Sequence, residues 1–180
     1  MFARLNVAGS LAMAGLLLVG SAHAETRDAP GWRFRATFPC QSAISSQTVD
    51  TPVGKVILTM YSCGDDNQAF MAIVSDYPAG TVKPEEIPSR YAGAVDGMAN
   101  QVKGTIHSVA ITTLGGIEGR EVVIDLPEKQ GVLTSHVFLI GDRLYQATCV
   151  GATSADPATP CRAFLNSFMF VGIDAPPPSQ

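Results

Sequence analysis

The chain has 180 residues, a formal net charge of −4 and 46% hydrophobic residues. That length supports one domain with a substantial core. The mildly acidic balance, with Lys and Arg scattered singly, excludes the clustered cations that nucleic-acid phosphates require, so no nucleic-acid partner is expected.

The first residues, MFARLNVAGSLAMAGLLLVGSAHA, place one cation (Arg4) before an apolar stretch from Leu11 to Val19 and end on Ala22-His23-Ala24. A positive start, a short apolar core and a small-x-small end form a secretory signal peptide, cleaved before Glu25. The apolar run falls short of the roughly 20 residues that a spanning helix needs, so no stable membrane anchor is expected after cleavage. Removal leaves 156 residues, and the loss of Arg4 moves the formal charge to −5. The expected location is periplasmic or secreted.

All four cysteines, Cys40, Cys63, Cys149 and Cys161, lie in the exported part. An even number in an oxidising compartment reads as a disulfide framework, although four cysteines allow three pairings. A zinc site would call for close Cys-x-x-Cys pairs, which this chain lacks.

In chain order, Glu25 to Gly31 is polar and reads as a loose leader. Trp32 to Phe38 alternates, with Trp32, Phe34, Ala36 and Phe38 on one side, the pattern of a half-buried strand that Pro39 ends. Gln41 to Thr51 is a polar connector to the turn Pro52-Val53-Gly54. Lys55 to Cys63 and Gln68 to Tyr77 read as a strand pair joined through Gly64-Asp65-Asp66-Asn67. Cys40 and Cys63 end their strands, and a bridge between them would close a loop of 22 intervening residues.

A helix is expected from Ser89 to Lys103, with Ser89 as N-cap, Gly104 at C′ and an apolar stripe of Tyr91, Val95, Met98 and Val102. Its small residues, Gly93 and Gly97 among them, make it thin enough to lie close to whatever it covers. Thr105 to Leu114 and Ile117 to Leu126 are strands about Gly115-Gly116. Pro127 to Gly131 turns the chain into a hairpin, Val132 to Ile140 and Arg143 to Val150, about Gly141-Asp142. If Ile140 faces Arg143, then Phe138 faces Tyr145, His136 faces Ala147 and Thr134 faces Cys149. After the loop Gly151 to Ala158, a second helix starts with Thr159 as N-cap and Pro160 in its first turn. Cys161, Phe164, Leu165 and Phe168 form its buried stripe, which places Cys161 against Cys149; this is the better supported of the two proposed bridges. The tail, residues 174–180 with three prolines, is expected to be disordered.

Strands, a helix, four strands and a helix make one α+β domain over residues 25–173: a twisted, mostly antiparallel sheet with helices packed on it. Gly119-Arg120-Glu121, the turn Gly141-Asp142-Arg143-Leu144-Tyr145-Gln146 and Phe164-Leu165-Asn166-Ser167-Phe168 resemble the PsbP-like α/β sandwich and similar small exported bacterial domains. The resemblance covers the last third of the chain well and the first strands in outline. It implies a non-catalytic accessory or binding role and supplies no site residues. PsbP itself assists the oxygen-evolving photosystem, and nothing in this chain implies a photosynthetic partner. The cysteines depart from the family pattern.

Chemistry-bearing motifs are sparse. After signal removal only His107 and His136 remain, on different strands, and a lone histidine beside Phe138 and Tyr145 reads as a core or rim residue. Asp65-Asp66-Asn67 lacks the alternating ligands and distal Glu of a calcium loop. There is no G-x-S-x-G elbow, and Gly115-Gly116 joins two strands instead of opening a helix onto a phosphate. Cys161 lies in the first turn of a helix, where a thiol would be activated, but its expected partner makes it an inert disulfide. No cofactor or metal is expected. The reading is a non-catalytic exported domain that binds an envelope protein or small ligand, or assists assembly in the envelope. The alternative is a periplasmic hydrolase with His136, Tyr145 and Glu121 as first suspects. A third reading, redox or metal handling, would use the four cysteines.

Overall fold

A computed structural model describes residues 24–127, 131–151 and 159–173. Residues 1–23 of the expected signal segment, most of the turn before Gly131, the loop 152–158 and the tail 174–180 lie outside the described residues. The strands are β1 (Glu25–Ala29), β2 (Phe34–Phe38), β3 (Ala43–Thr51), β4 (Gly54–Gly64), β5 (Ala69–Asp76), β6 (Thr105–Leu114), β7 (Ile117–Asp125), β8 (Val132–Ile140), β9 (Arg143–Gly151) and β10 (Met169–Phe170). The helices are α1 (Ile87–Val102) and α2 (Pro160–Ser167).

Seven strands form one antiparallel sheet in the order β3-β4-β5-β9-β8-β7-β6, and β1-β2-β10 form a second, smaller sheet. Because side chains alternate along every strand, the large sheet has two separate apolar faces. One face carries Tyr61, Phe70, Ala72, Val74, Phe138, Tyr145, Ala147 and Cys149, and it packs against Phe34, Ala36 and Phe38 of β2 and Phe164, Leu165 and Phe168 around α2. Aromatic rings join these layers, Phe70 to Phe164 at 5.6 Å between centroids and Phe34 to Tyr61 at 5.5 Å. The opposite face carries Val122, Ile124, Leu133, Val137, Leu139 and Leu144, on which Tyr91, Val95 and Ala99 of α1 pack. The molecule is therefore layered as small sheet with α2, large sheet, α1, with more strand than the α+β reading anticipates.

The hairpin register is the expected one, Ile140 opposite Arg143, Phe138 opposite Tyr145, His136 opposite Ala147 and Thr134 opposite Cys149. Thr159 caps α2 by accepting from the Arg162 N–H, and Pro160 opens the helix. Cys40 is joined to Cys63 and Cys149 to Cys161, with Cα–Cα separations of 5.8 and 5.5 Å.

Two expected irregular stretches are strands. Glu25 to Ala29 pairs with β2, Glu25 opposite Phe38 through Ala29 opposite Phe34, and polar pairs on its open side hold the register: Asp28 with Arg35 at 2.8 Å and Thr26 with Thr37 at 3.1 Å. Ala43 to Thr51 is an edge strand on β4 in which the first eight residues are exposed on both faces, so its sequence carries no apolar alternation to announce it. The helix α1 also begins earlier than expected. Ser89 lies in its first turn and donates to the Glu86 carbonyl instead of capping it. The left-handed residue at its end is Lys103 (φ 52°), with Gly104 donating back to the Ala99 carbonyl as in a Schellman motif. Gly104 is needed for another reason: a Cβ there would come within 2.5 Å of Ile124 Cγ2 and 2.7 Å of the Asp125 carbonyl.

A candidate binding groove beside the first helix

The helix α1 is fixed over β7 and β8 by contacts ahead of it and in its first turns. Ahead of it, the Asp142 carboxylate accepts from the Gly80 N–H at 2.6 Å and the Val82 N–H at 2.8 Å, tying the β5–α1 connector to the β8–β9 turn. These backbone donors hold the Asp142 carboxyl below its ordinary range. Within the helix, the Tyr91 hydroxyl donates to the Glu118 carbonyl at 3.1 Å and accepts from the Leu139 N–H at 3.0 Å. Burial pushes the Tyr91 hydroxyl above its ordinary range, so it stays a neutral donor.

Set there, α1 does not cover the whole sheet. Beside it runs a groove of about 1100 Å³ whose floor is Met60 of β4, Met71 and Ile73 of β5, and Leu144, Gln146, Thr148 and Val150 of β9. The helix supplies the wall through Arg90, Gly93, Ala94, Gly97, Met98 and Gln101, with Glu86 near one end and Lys103 near the other. The Thr148 hydroxyl is bonded to the Ser135 hydroxyl at 2.7 Å within the sheet, which leaves the floor largely apolar. At the helix start, Arg90 is bound to Glu86 at 2.8 Å and lies over the Tyr77 ring. Among the described residues, no carboxylate lies within ion-pair distance of Lys103.

The small residues of α1 act differently from the sequence reading. A Cβ at Gly93 or Gly97 would meet nothing within 4 Å, so these glycines widen the groove instead of bringing the helix close to the sheet. Tyr91 and Val95 of the expected stripe are buried, joined by Ala99, whereas Met98 and Val102 are half-buried and line the groove. The groove residues are missed in sequence because a Met or Gln on a strand carries no chemical signature. The faint signal is Gly93-Ala94-x-x-Gly97, small residues on one side of a helix whose other side is apolar.

The three suspects for hydrolysis lie on the opposite face of the sheet. His136 Nε2 is hydrogen-bonded to Glu121 Oε2 at 2.8 Å, and Arg162 of α2 donates to the same oxygen at 3.0 Å. Partial burial raises the Glu121 pKa, but the hydrogen bonds from His136 and Arg162 outweigh it and leave the carboxyl below its ordinary range. Tyr145 is only 2% exposed, with its ring packed on Phe170 at 5.1 Å, so its side chain is shut away from solvent beside the His136–Glu121 pair. A pocket of about 130 Å³ beside Cys161 and Arg162 contains none of the three. His107 pairs with Asp125 at an exposed edge, and Asp65 accepts from the Asn67 and Gln68 N–H groups as a turn. Among the described residues no group of three or more His, Cys, Asp or Glu side chains converges as a metal site. None of the described helices is long and apolar enough to cross a membrane.

The chain is similar to a solved structure, the solution structure of cyanobacterial PsbP (CyanoP) from Synechocystis sp. PCC 6803, with a TM-score of 0.57 over 88% of this chain and 98% of that one. The fold is PsbP-like. At 9% identity the PsbP likeness extends to architecture alone. No protein-family model matches the chain, and no curated protein matches it.

Proposed function

We propose that this PsbP-like chain is an exported, non-catalytic accessory domain of the cell envelope that works by binding, with the α1 groove as its binding site. The groove carries this reading: a trough of about 1100 Å³ with a largely apolar floor and its charged groups on the helix wall is the kind of concave surface that binds ligands. The signal-like first residues and two disulfides support export into an oxidising compartment. The hydrolase alternative would pair His136 with Glu121, but its third suspect, Tyr145, is only 2% exposed, and all three lie on the face of the sheet opposite the groove.

The test fills the groove without touching the core. Gly93→Leu and Gly97→Phe each place a Cβ in open space within a helix, so both variants are expected to melt at or somewhat above the temperature of the parent protein. The neutral dye Nile red should gain fluorescence with the folded parent and bind at least about ten-fold more weakly to Gly97→Phe, since the filled groove no longer buries its apolar surface. Equal dye binding by parent and both variants rules the groove out. Turnover of ester or peptide substrates that disappears in His136→Ala, with melting unchanged, would establish the hydrolase instead.

A further inference from the structure

We propose that the groove takes the hydrocarbon chain of a singly charged anionic amphiphile, laid along α1 with its acidic head at Lys103; this rests on the groove being the binding site. Three observations lead there.

The first is the backbone of the floor. Strands β4, β5, β9 and β8 are each hydrogen-bonded on both sides within the sheet. An extended peptide lying on them would find no open edge for its own N–H and C=O groups, which would then lose water without gaining partners. A hydrocarbon chain has no such groups to satisfy. The floor side chains it would meet, Met60, Met71 and Ile73, include two thioethers able to adapt to a flexible chain.

The second is the distribution of charge. Glu86 and Arg90 neutralise one another at the helix start, which leaves Lys103 as the uncompensated charge among the described groove residues. The protein as a whole is acidic, with a formal charge of −4, so its surface at large repels anions and this cation is a local attractor. The sixteen residues of α1 span about 24 Å, enough to separate a chain terminus near Arg90 from a head near Lys103.

The third is the conformation of Lys103. Its φ of 52° puts a long side chain where glycine or asparagine fits at lower steric cost. A lysine at the end of a helix also complements the helix dipole, but that role is met equally well one turn earlier, without left-handed backbone.

The experiment titrates the folded, disulfide-bonded protein with saturated fatty acids of ten to eighteen carbons, the matching alcohols, and lysophosphatidylglycerol, each below its micelle concentration, by calorimetry and Nile red displacement. Affinity should rise roughly four-fold per methylene until the groove is full. The acids should bind several-fold more tightly than the alcohols, and that preference should shrink as salt is raised. Lys103→Asn, whose residue tolerates the left-handed backbone, should erase the preference for acids while keeping the dependence on chain length. The relative affinities of fatty acid and lysophosphatidylglycerol decide whether the head is a carboxylate or a phosphodiester, and either supports the inference. Equal binding of acids and alcohols, a preference that survives Lys103→Asn, or native mass spectrometry showing a bound polypeptide would overturn it while leaving the groove as a binding site. Absence of both dye and amphiphile binding by the folded protein would remove the binding reading as well.

Discussion

At Gly119 the Phe138 ring lies across the strand where a side chain would otherwise stand, and a Cβ there would come within 2.5 Å of Phe138 Cε1 and of the Val137 carbonyl. Gly119→Ala must displace a ring that is 1% exposed, so it should cost about 1–3 kcal/mol in urea denaturation. Gly97 provides the opposite case. It lies within α1 beside open space, and Gly97→Ala should stabilise the protein by up to about 1 kcal/mol because the glycine's unfolded-state freedom is removed with no clash. The same denaturation series reads both, and a loss at Gly97 would mean that the helix wall is packed against something. From sequence both positions look alike, a glycine within a regular element. What separates them is the distance to a neighbour across the fold.

The helix α2 is fastened to the large sheet by covalent, electrostatic and apolar contacts. Cys149–Cys161 closes a loop with a sequence separation of 12. On the chain-entropy model such a bridge contributes about 3 kcal/mol, so a Cys149→Ala/Cys161→Ala double variant should melt at lower temperature, and its α2 amides should exchange faster while those of α1 remain protected. Uniform loss of protection would show instead that the bridge supports the whole fold. Glu121 adds a pH-dependent tie between β7, β8 and α2. Its folded pKa lies below the ordinary value of 4.5, so its contribution is fully present above that value and is lost as pH falls through the folded pKa. Glu121→Gln should therefore be less stable than the parent by about 1 kcal/mol near neutrality, with the gap closing on acidification in a series of melts from neutral pH to below pH 4.5. A gap that is constant with pH would assign Glu121 a role independent of its charge. Much of this region is legible in sequence, because the Gly141-Asp142 turn fixes the register and Thr159-Pro160 fixes the helix start. The convergence of Arg162 on Glu121 is not, since it depends on how a helix docks across strands that are distant along the chain.

At the scale of the molecule, the alternating runs of β2, β5, β7, β8 and β9 specify half-buried strands by themselves, because each side chain's face follows from its parity along the strand. The hairpin geometry of adjacent strands follows from turn residues such as Gly115-Gly116 and Gly141-Asp142. Local sequence did not mark β1 and β3, whose polar residues become strands only when β2 and β4 offer them a ladder. Nor did it mark the antiparallel pairing of β5 with β9, which are joined by no turn and meet only when the chain has closed on itself. The groove belongs to that last category. Residues from β4, β5, β9 and α1 form one surface because α1 packs over β7 and β8 and leaves the neighbouring strands open. Sequence by itself determined the strand faces, the hairpin register and the helix that carries Cys161, since each follows from spacing over a few residues. The tertiary structure alone decided that Gly93, Gly97, Met71 and Lys103 share a trough, because only the docking of distant elements sets which part of a sheet stays uncovered.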